Sequence, residues 1–407
     1  MAGASGLAIV HVGSALEAAT RFAGRTLPDR AIALARSAGL EPVLVLADDV
    51  APLAMRAGPD PPIPAVRPGD PLPGLDDDRR PVVAWRCDVA FVAGLLREML
   101  APGAPAECVL LDDAGRVAVV RCARDRLGER LAGADPGAIA SRLSLAPREP
   151  ARHRVLSLDP RTRGSRSLRE IEEEFVATLV NPRDGLFDRL LNRPVSRRLT
   201  PLLLDRPITP NQVTSLSLGI GVIAAVAFAA PGRWWPVAGA LLVQATAVLD
   251  CIDGEIARAK VQESDRGELL DVTSDTLIHV LAFAGIAVHA WPTTGARRAC
   301  QLAVLFATGG LLSFAVVTRA ERTERRWEPV ASTSSRLLSA LLATLTTRDL
   351  SVLLLAAALL GLLRPLLVGA AFGAHAFWIL ALILHGRAMR EASRGDSPPP
   401  PDPSVPA

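Results

Sequence analysis

The chain has 407 residues, 50% of them hydrophobic and 21% charged, with a mean hydropathy of +0.29. That is high for a soluble protein and still rich in charge, which implies a soluble part joined to a membrane part. A net charge of only +3 excludes the basic footprint of a nucleic acid binder. The five cysteines, Cys87, Cys108, Cys122, Cys251 and Cys300, form no C-x-x-C pair, and so read as free thiols in a reducing compartment rather than a disulfide framework or zinc site.

Residues 1–150 read as an α/β domain. The N-terminus, "MAGASGLAIVHVGSALEAATRF", lacks the basic start of a signal peptide and reads as a first strand and turn. "LPDRAIALARSAG" predicts a helix with Ala31, Leu34, Ala35 and Ala38 on one face and Gly39 as its stop. "PVLVLADD" predicts a buried strand, and the proline-rich residues 58–73 a surface loop. A further strand, "PVVAWRCD", leads into a helix, "VAFVAGLLREML". "ECVLLDDAGRVAVVRCA" reads as a hairpin turning at D-D-A-G. Strands alternating with helices predict a mainly parallel sheet covered on both faces. Residues 151–166 are polar and basic, as in a linker.

Residues 167–209 are amphipathic. "SLREIEEEFVATLV" places Leu168, Ile171, Phe175 and Leu179 at helical spacing. "GLFDRLLNRPVSRRLTPLLL" mixes Leu and Phe with Arg189, Arg193, Arg197 and Arg198. Such helices can lie along a membrane, apolar side down and arginines near phosphates. A plain soluble amphipathic helix is the alternative.

Residues 210–390 then predict an all-α membrane domain of six spans, at about 213–230, 234–251, 269–291, 300–317, 350–363 and 366–384. The second and third reach full length only if their helices continue through the acid-rich stretch between them. Arg364-Pro365 marks the break after the fifth. Trp234, Trp235 and Trp291 stand at span ends, as interfacial aromatics do. With both termini on one face, that face carries sixteen Lys and Arg, and the other carries four: Arg233, Arg297, Arg298 and Arg364. The richer face is expected to be cytoplasmic, with the α/β domain and the acidic stretch on it. Residues 391–407 form a low-complexity, disordered tail.

The stretch "LDCIDGEIARAKVQESDRGELLDVTSD" holds the chemistry. Asp250 and Asp253, three apart, share one helix face, and Asp271 and Asp275, four apart, share another. An antiparallel pair of helices would bring the four carboxylates to one depth, where they repel unless cations neutralise them. Hard divalent ions such as Mg²⁺ or Mn²⁺ suit oxygen ligands, and two of them form a clamp for phosphoryl transfer. Gly254, Ala257 and Gly267 leave room beside the acids, although close helix packing also asks for small residues. Arg258 offers a planar fork to a phosphate.

The run Asp250-x₂-Asp253-Gly254-x₂-Ala257-Arg258-x₈-Gly267-x₃-Asp271-x₃-Asp275 is similar, at all eight positions, to the signature of the CDP-alcohol phosphatidyltransferase family. "ITPNQVT", which includes Asn211 and Thr214, resembles the opening of that family's first span. The resemblance covers about residues 180–390 and implies a membrane fold of six helices. It implies that Asp250, Asp253, Asp271 and Asp275 hold two metal ions and that Asp275 is the base for the acceptor hydroxyl. Gly254, Ala257, Arg258, Gly267, Asn211 and Thr214 would line the cytidine diphosphate site. An acceptor alcohol or alcohol phosphate would attack a CDP-alcohol donor and release CMP, in phospholipid or inositol-phosphate synthesis. A homodimer in the cell membrane, in contact with its lipid, is implied as well.

Residues 181–214 resemble the entry segment of di-inositol-phosphate-phosphate synthases, which use CDP-inositol and often carry an N-terminal nucleotidyltransferase domain. "FAGRTLPDRAIALARSAGLEPVLVLADD" resembles part of that domain, and Asp88 falls at its metal-binding aspartate. The glycine-rich loop is worn, however. "HVGSALEAATRFAGRT" keeps a lone Gly13 and has no lysine, so the domain is expected to be inactive and to serve in docking or regulation. CDP-diacylglycerol remains an alternative donor. Arg319, in "TRAERTERR", is a candidate for an acceptor phosphate, while Arg322, Arg325 and Arg326 fit a positive-inside flank equally well. A transporter using the acids, or a bifunctional enzyme with an active N-terminal cytidylyltransferase, are the competing functions.

Overall fold

Alternating apolar residues set the first half of the chain. Leu7, Ile9, Leu44, Leu46, Val82, Ala84, Val109 and Val120 project to one side of their strands and form one buried cluster with Ile139 and Ala140. The computed structural model describes residues 6–12, 19–47, 65–66, 81–101, 104–123, 135–145, 147, 154–162, 165–179, 184–324 and 349–394. Two compact units emerge. The first comprises Met1–Val180, Arg197–Pro210 and Gly254–Ser264, and the second Asn181–Ser196, Asn211–Asp253 and Asp265–Ala407.

The strands of the first unit are β1 (Gly6–Val12), β2 (Arg21–Phe22), β3 (Arg25–Thr26), β4 (Leu40–Ala47), β5 (Ala65–Val66), β6 (Val82–Arg86), β7 (Val89–Ala90), β8 (Cys108–Leu111), β9 (Val117–Cys122) and β10 (Leu156–Ser157). Six form one sheet in the order β5-β4-β1-β6-β9-β8. It is parallel from β5 to β6 and antiparallel at β9 and β8, hence mixed. The expected hairpin is β8–β9. Asp112 Oδ1 accepts from the amides of Ala114 and Arg116, and Gly115 takes φ +76°.

Helices α1 (Leu27–Ser37), α2 (Ala93–Leu100), α3 (Pro136–Arg142) and α4 (Leu168–Thr178) also belong to this unit. Thr26 caps α1, Pro28 sits in its first turn, and Gly39 follows its end with φ +74°. Two sequence expectations change here. The supposed linker contributes β10, antiparallel to β7, and Val155, Leu156 and Leu158 are buried, which is too apolar for a solvated connection. Helix α4 starts with a capping box between Ser167 and Glu170. Its face of Ile171, Phe175 and Leu179 is buried in protein, with Phe175 edge-on to Phe22, so this helix follows the soluble alternative.

The next segment keeps the amphipathic character in another way. A π-helical turn, Asp188–Asn192, runs directly into α5 (Arg193–Leu204). Leu186, Leu190, Val195, Leu199 and Leu202 are exposed, while Asp188, Asn192, Ser196 and Thr200 are buried at a spacing of four. Arg193 does not face outward as expected. It is buried in a bidentate pair with Asp184, at 2.8 and 2.9 Å.

The long helices are α6 (Pro210–Ala229), α7 (Trp234–Ala259), α8 (Asp265–Thr294), α9 (Ala296–Glu324), α10 (Asp349–Leu360) and α11 (Leu363–Arg394). Five of them, all but α10, are long and apolar enough to cross a membrane. The acid-rich stretch is indeed helical at both ends, which gives α7 and α8 their length. The described part of the fifth expected span, α10, has 12 residues and rises only about 18 Å, against roughly 30 Å of hydrocarbon. The break after it lies at Gly361, φ +72°, and not at Arg364-Pro365. Pro365 instead falls in the first turn of α11, where amides have no helical partner. A Cβ on Gly285 would overlap the Ala225 carbonyl, so α8 packs hard on α6 there. Phe283 and Phe306 stack at 4.0 Å in the same core. Cys87, Cys108, Cys122 and Cys251 are buried thiols, and Cys300 is exposed.

Candidate functional site

Helix α7 carries the first pair of acids near its C-terminal end, and α8 carries the second near its N-terminal end. Asp250 and Asp253 are both buried, at 6% and 5% exposure, and Asp271 is half-buried. One carboxylate oxygen from each of Asp250, Asp253 and Asp271 lies within 4.8 Å of the others. Three like charges so close repel unless a cation is shared, and an all-oxygen donor set fits a hard divalent ion. Asp275 follows Asp271 by one turn of α8 and is half-buried. The grouping found among the described residues is thus a trio, with Asp275 a turn further on.

Thr214 was expected to line a nucleotide. Its buried hydroxyl donates to Asp253 Oδ2 at 2.7 Å, which fixes the orientation of that carboxylate. Asn211 is exposed in the first turn of α6, and its carbonyl accepts from Ser215 Oγ at 2.8 Å. Gly267 is half-buried in the first turn of α8. Gly254 and Ala257 are half-buried on α7. A Cβ on Gly254 would stand 3.3 Å from Arg258 Nη1, so the space the glycine leaves is shared with the Arg258 guanidinium. Arg319 is exposed on α9, and Arg322 lies further along the same helix. Arg325, Arg326 and Arg348 lie outside the described residues.

The end of α7 is tightly made. Gln262 N donates to Ala257 O at 2.8 Å across Val261, which takes the left-handed φ of +53°. Lys260 Nζ donates to the carbonyls of Arg206 at 2.7 Å and Ile208 at 3.0 Å, in the turn that leads into α6. Burial lowers the pKa of this ammonium below the ordinary lysine value. Buried Thr200 donates to buried Glu255 at 2.5 Å.

A second polar feature escaped the sequence reading. Asn192 Nδ2 donates to Asp188 Oδ1 at 2.8 Å, Gln244 of α7 donates to Asn192 Oδ1, and Ser351 of α10 donates to Gln244 Oε1 at 2.9 Å. The signal was the polar residue at every fourth position from Asp188 to Thr200, hidden behind the more obvious Leu and Arg pattern.

In the first unit, Asp88 stands where a metal-binding aspartate was expected, but arginines meet it. Arg86 Nε lies 2.8 Å from Asp88 Oδ1, and Arg86 Nη2 lies 2.7 Å from Asp112 Oδ2. Arg116 reaches Asp112 at 3.2 Å, Asp88 at 3.4 Å and Asp159 at 2.5 Å. Burial lowers the Arg86 pKa, but the Asp88 and Asp112 carboxylates outweigh it and raise the value above the ordinary one. Gly13 and its worn loop lie outside the described residues.

Residues 207–382 match the model of the CDP-alcohol phosphatidyltransferase family. A protein of Aquifex aeolicus named "Bifunctional IPC transferase and DIPP synthase" is 36% identical over 110 residues, 27% of this chain and 24% of that one. A protein of the same name from Rubrobacter xylanophilus is 33% identical over 161 residues, 40% of this chain and 34% of that one. The "Phosphatidylinositol phosphate synthase" of Mycobacteroides abscessus is 30% identical over 146 residues, 35% of this chain and 64% of that one. The chain therefore spans only about a quarter to a third of the two bifunctional relatives.

Proposed function

Taking residues 207–382 as a domain of the CDP-alcohol phosphatidyltransferase family, we propose that this multi-pass membrane protein transfers a substituted phosphate from a CDP-alcohol to an acceptor hydroxyl and releases CMP. The observation that carries this reading is the meeting of three carboxylates from two helices within 4.8 Å. Asp250, Asp253 and Asp271, with Asp275 completing the set, would hold the metal, as two Mg²⁺ or Mn²⁺ ions. When bound, these ions supply neutralisation of the diphosphate and of the departing CMP. Asp275, one turn along α8, takes the proton of the acceptor hydroxyl as its oxygen attacks the phosphorus. Arg258 binds a donor phosphate through its fork, beside Gly254, Ala257, Gly267 and Asn211. Thr214 orients Asp253 and lines the nucleotide site with Asn211. Arg319 meets the acceptor phosphate.

The donor is CDP-inositol or CDP-diacylglycerol, and the product an inositol phosphate or phospholipid. The names of the relatives support an inositol-containing substrate. The exposed Leu186, Leu190, Val195, Leu199 and Leu202 support a helix lying on the lipid surface. Helix α10 is counted as the sixth span, and the chain works as a homodimer in the cell membrane with both termini cytoplasmic. The α/β region forms one domain, followed by juxtamembrane helices and the phosphotransferase domain. The arginines on Asp88 and Asp112 support a non-catalytic α/β domain, since they supply the positive charge a metal would bring. The acids lie toward one end of α7 and α8, which disfavours an ion path through mid-membrane.

The test is CMP release by the purified full chain in detergent, with Mg²⁺ or Mn²⁺, from a panel of CDP-alcohols offered inositol phosphate or glycerol phosphate. Release from an inositol or diacylglycerol donor, lost in Asp275→Asn, is expected. No CMP from any donor sinks the reading. CDP-inositol formed from CTP and inositol phosphate would restore the bifunctional alternative.

A further inference from the structure

Resting on that reading, we infer that the α/β domain is a positioning device for the donor site, and that Arg30 is the residue through which it acts. Arg30 lies on α1 and is 1% exposed. Its guanidinium carbon sits 5.5 Å from the Phe22 ring centre and 5.0 Å from that of Phe175. One arm of the fork donates to Phe91 O at 3.0 Å, within the α/β domain, and the other donates to Ala259 O. Ala259 is the last residue of α7, next to Arg258. The carbonyls of a helix's last turn have no partner within the helix and carry partial negative charge, so a guanidinium is well matched to them.

Stability alone does not account for this arrangement. Burying a guanidinium is costly, and an apolar side chain of similar volume commonly serves a core as well or better. Lys260 fixes the same turn, and two contacts fasten the elements beside it. A Cβ on Gly24, φ +75°, would overlap the Leu204 carbonyl, so the β2–β3 turn passes hard against the end of α5. The neighbouring amide of Ala23 donates to Glu172 at 2.6 Å. Lys260 in turn holds the carbonyls of Arg206 and Ile208. Next to Lys260 in this turn is Val261, a β-branched residue at φ +53°. Such a backbone persists only where its surroundings over-determine it. The turn from Ala257 to Gln262 is therefore clamped, and Arg258 lies within it. Loosening the clamp lets the Arg258 fork wander from the donor phosphate while leaving the acids of α7 and α8 in place.

The test compares Arg30→Met and Arg30→Lys with the wild-type full chain. Hydrogen exchange read without any donor is the first measurement. Amides of residues 257–262 are expected to exchange about tenfold faster in Arg30→Met, the effect of one lost charged hydrogen bond, while those of β1, β4 and β6 keep their protection. CMP release is the second, with the KM for the CDP-donor raised about tenfold and kcat nearly unchanged. Arg30→Lys keeps the charge but cannot fork to both carbonyls, and should fall between the two. Unchanged exchange in residues 257–262 overturns the inference whatever the enzyme does. So does a loss of kcat with the donor KM unmoved. A wild-type chain that releases no CMP defeats the proposed function instead, and leaves the exchange measurement to decide this one.

Discussion

Asp88, Asp112 and Asp159 in the first unit converge on Arg86 and Arg116, whereas Asp250, Asp253 and Asp271 in the second converge on one another. Both groups are acids brought together from separate elements, and their counter-charge differs. In the first it is covalently part of the chain, supplied by β6 and by the β8–β9 hairpin. In the second, where Thr214 donates to Asp253, the counter-charge proposed above is a divalent cation. A carboxylate cluster thus reads as a metal site or as a structural knot according to what else the fold has delivered to it, and the acids alone do not decide.

Removing one acid from each group should separate the two kinds. Asp253→Asn is expected to lower CMP release by roughly 10²–10³-fold or more, with little change in melting temperature, because it removes preorganised charge at the transferring phosphate. Asp112→Asn should do the reverse. Its side chain is fully buried against Arg86, so breaking that pair should cost about 3 kcal/mol in the α/β unit, read by denaturant unfolding, with kcat preserved while the protein is folded. An activity loss without destabilisation in Asp112→Asn would erase the distinction.

Thr214→Val is the finer probe of the metal group. The Asp253 carboxylate loses its 2.7 Å hydrogen bond, and apparent metal affinity should fall about 10–100-fold in a Mg²⁺ titration of CMP release. The smallest expected effect is at Asp159. Burial raises its carboxyl pKa, but the Arg161 amide and then Arg116 outweigh this and hold it below the ordinary 3.8. A lowered folded pKa contributes stability that is present above the unfolded value and lost as pH falls through the folded one. The α/β unit should therefore lose a few tenths of a kcal/mol as pH drops below about 4, and Asp159→Asn should flatten that part of the curve.

How much of this was readable from sequence follows the range of the interactions. Asp250 with Asp253, the Ser167–Glu170 box and the Asp112–Gly115 turn are set by neighbours within four residues, and the spacing alone revealed them. The closing of Arg116 on Asp88 and Asp159 joins residues 28 and 43 positions apart, and no local pattern announces it. Thr214 was singled out, but its partner Asp253 is 39 residues away, so the hydrogen bond between them was not legible. The stop of α10 at Gly361 was missed because the more conspicuous Arg364-Pro365 drew the boundary, although a proline in a first turn interrupts nothing.

The burial of four of the five cysteines gives the chain a built-in reporter of sidedness. Cys300 is exposed near the start of α9, beside Arg297 and Arg298, on the face expected to lie away from the cytoplasm. A membrane-impermeant maleimide added to intact cells should attach one label per chain, and Cys300→Ser should abolish it. Labelling only after the membrane is opened would invert the proposed orientation.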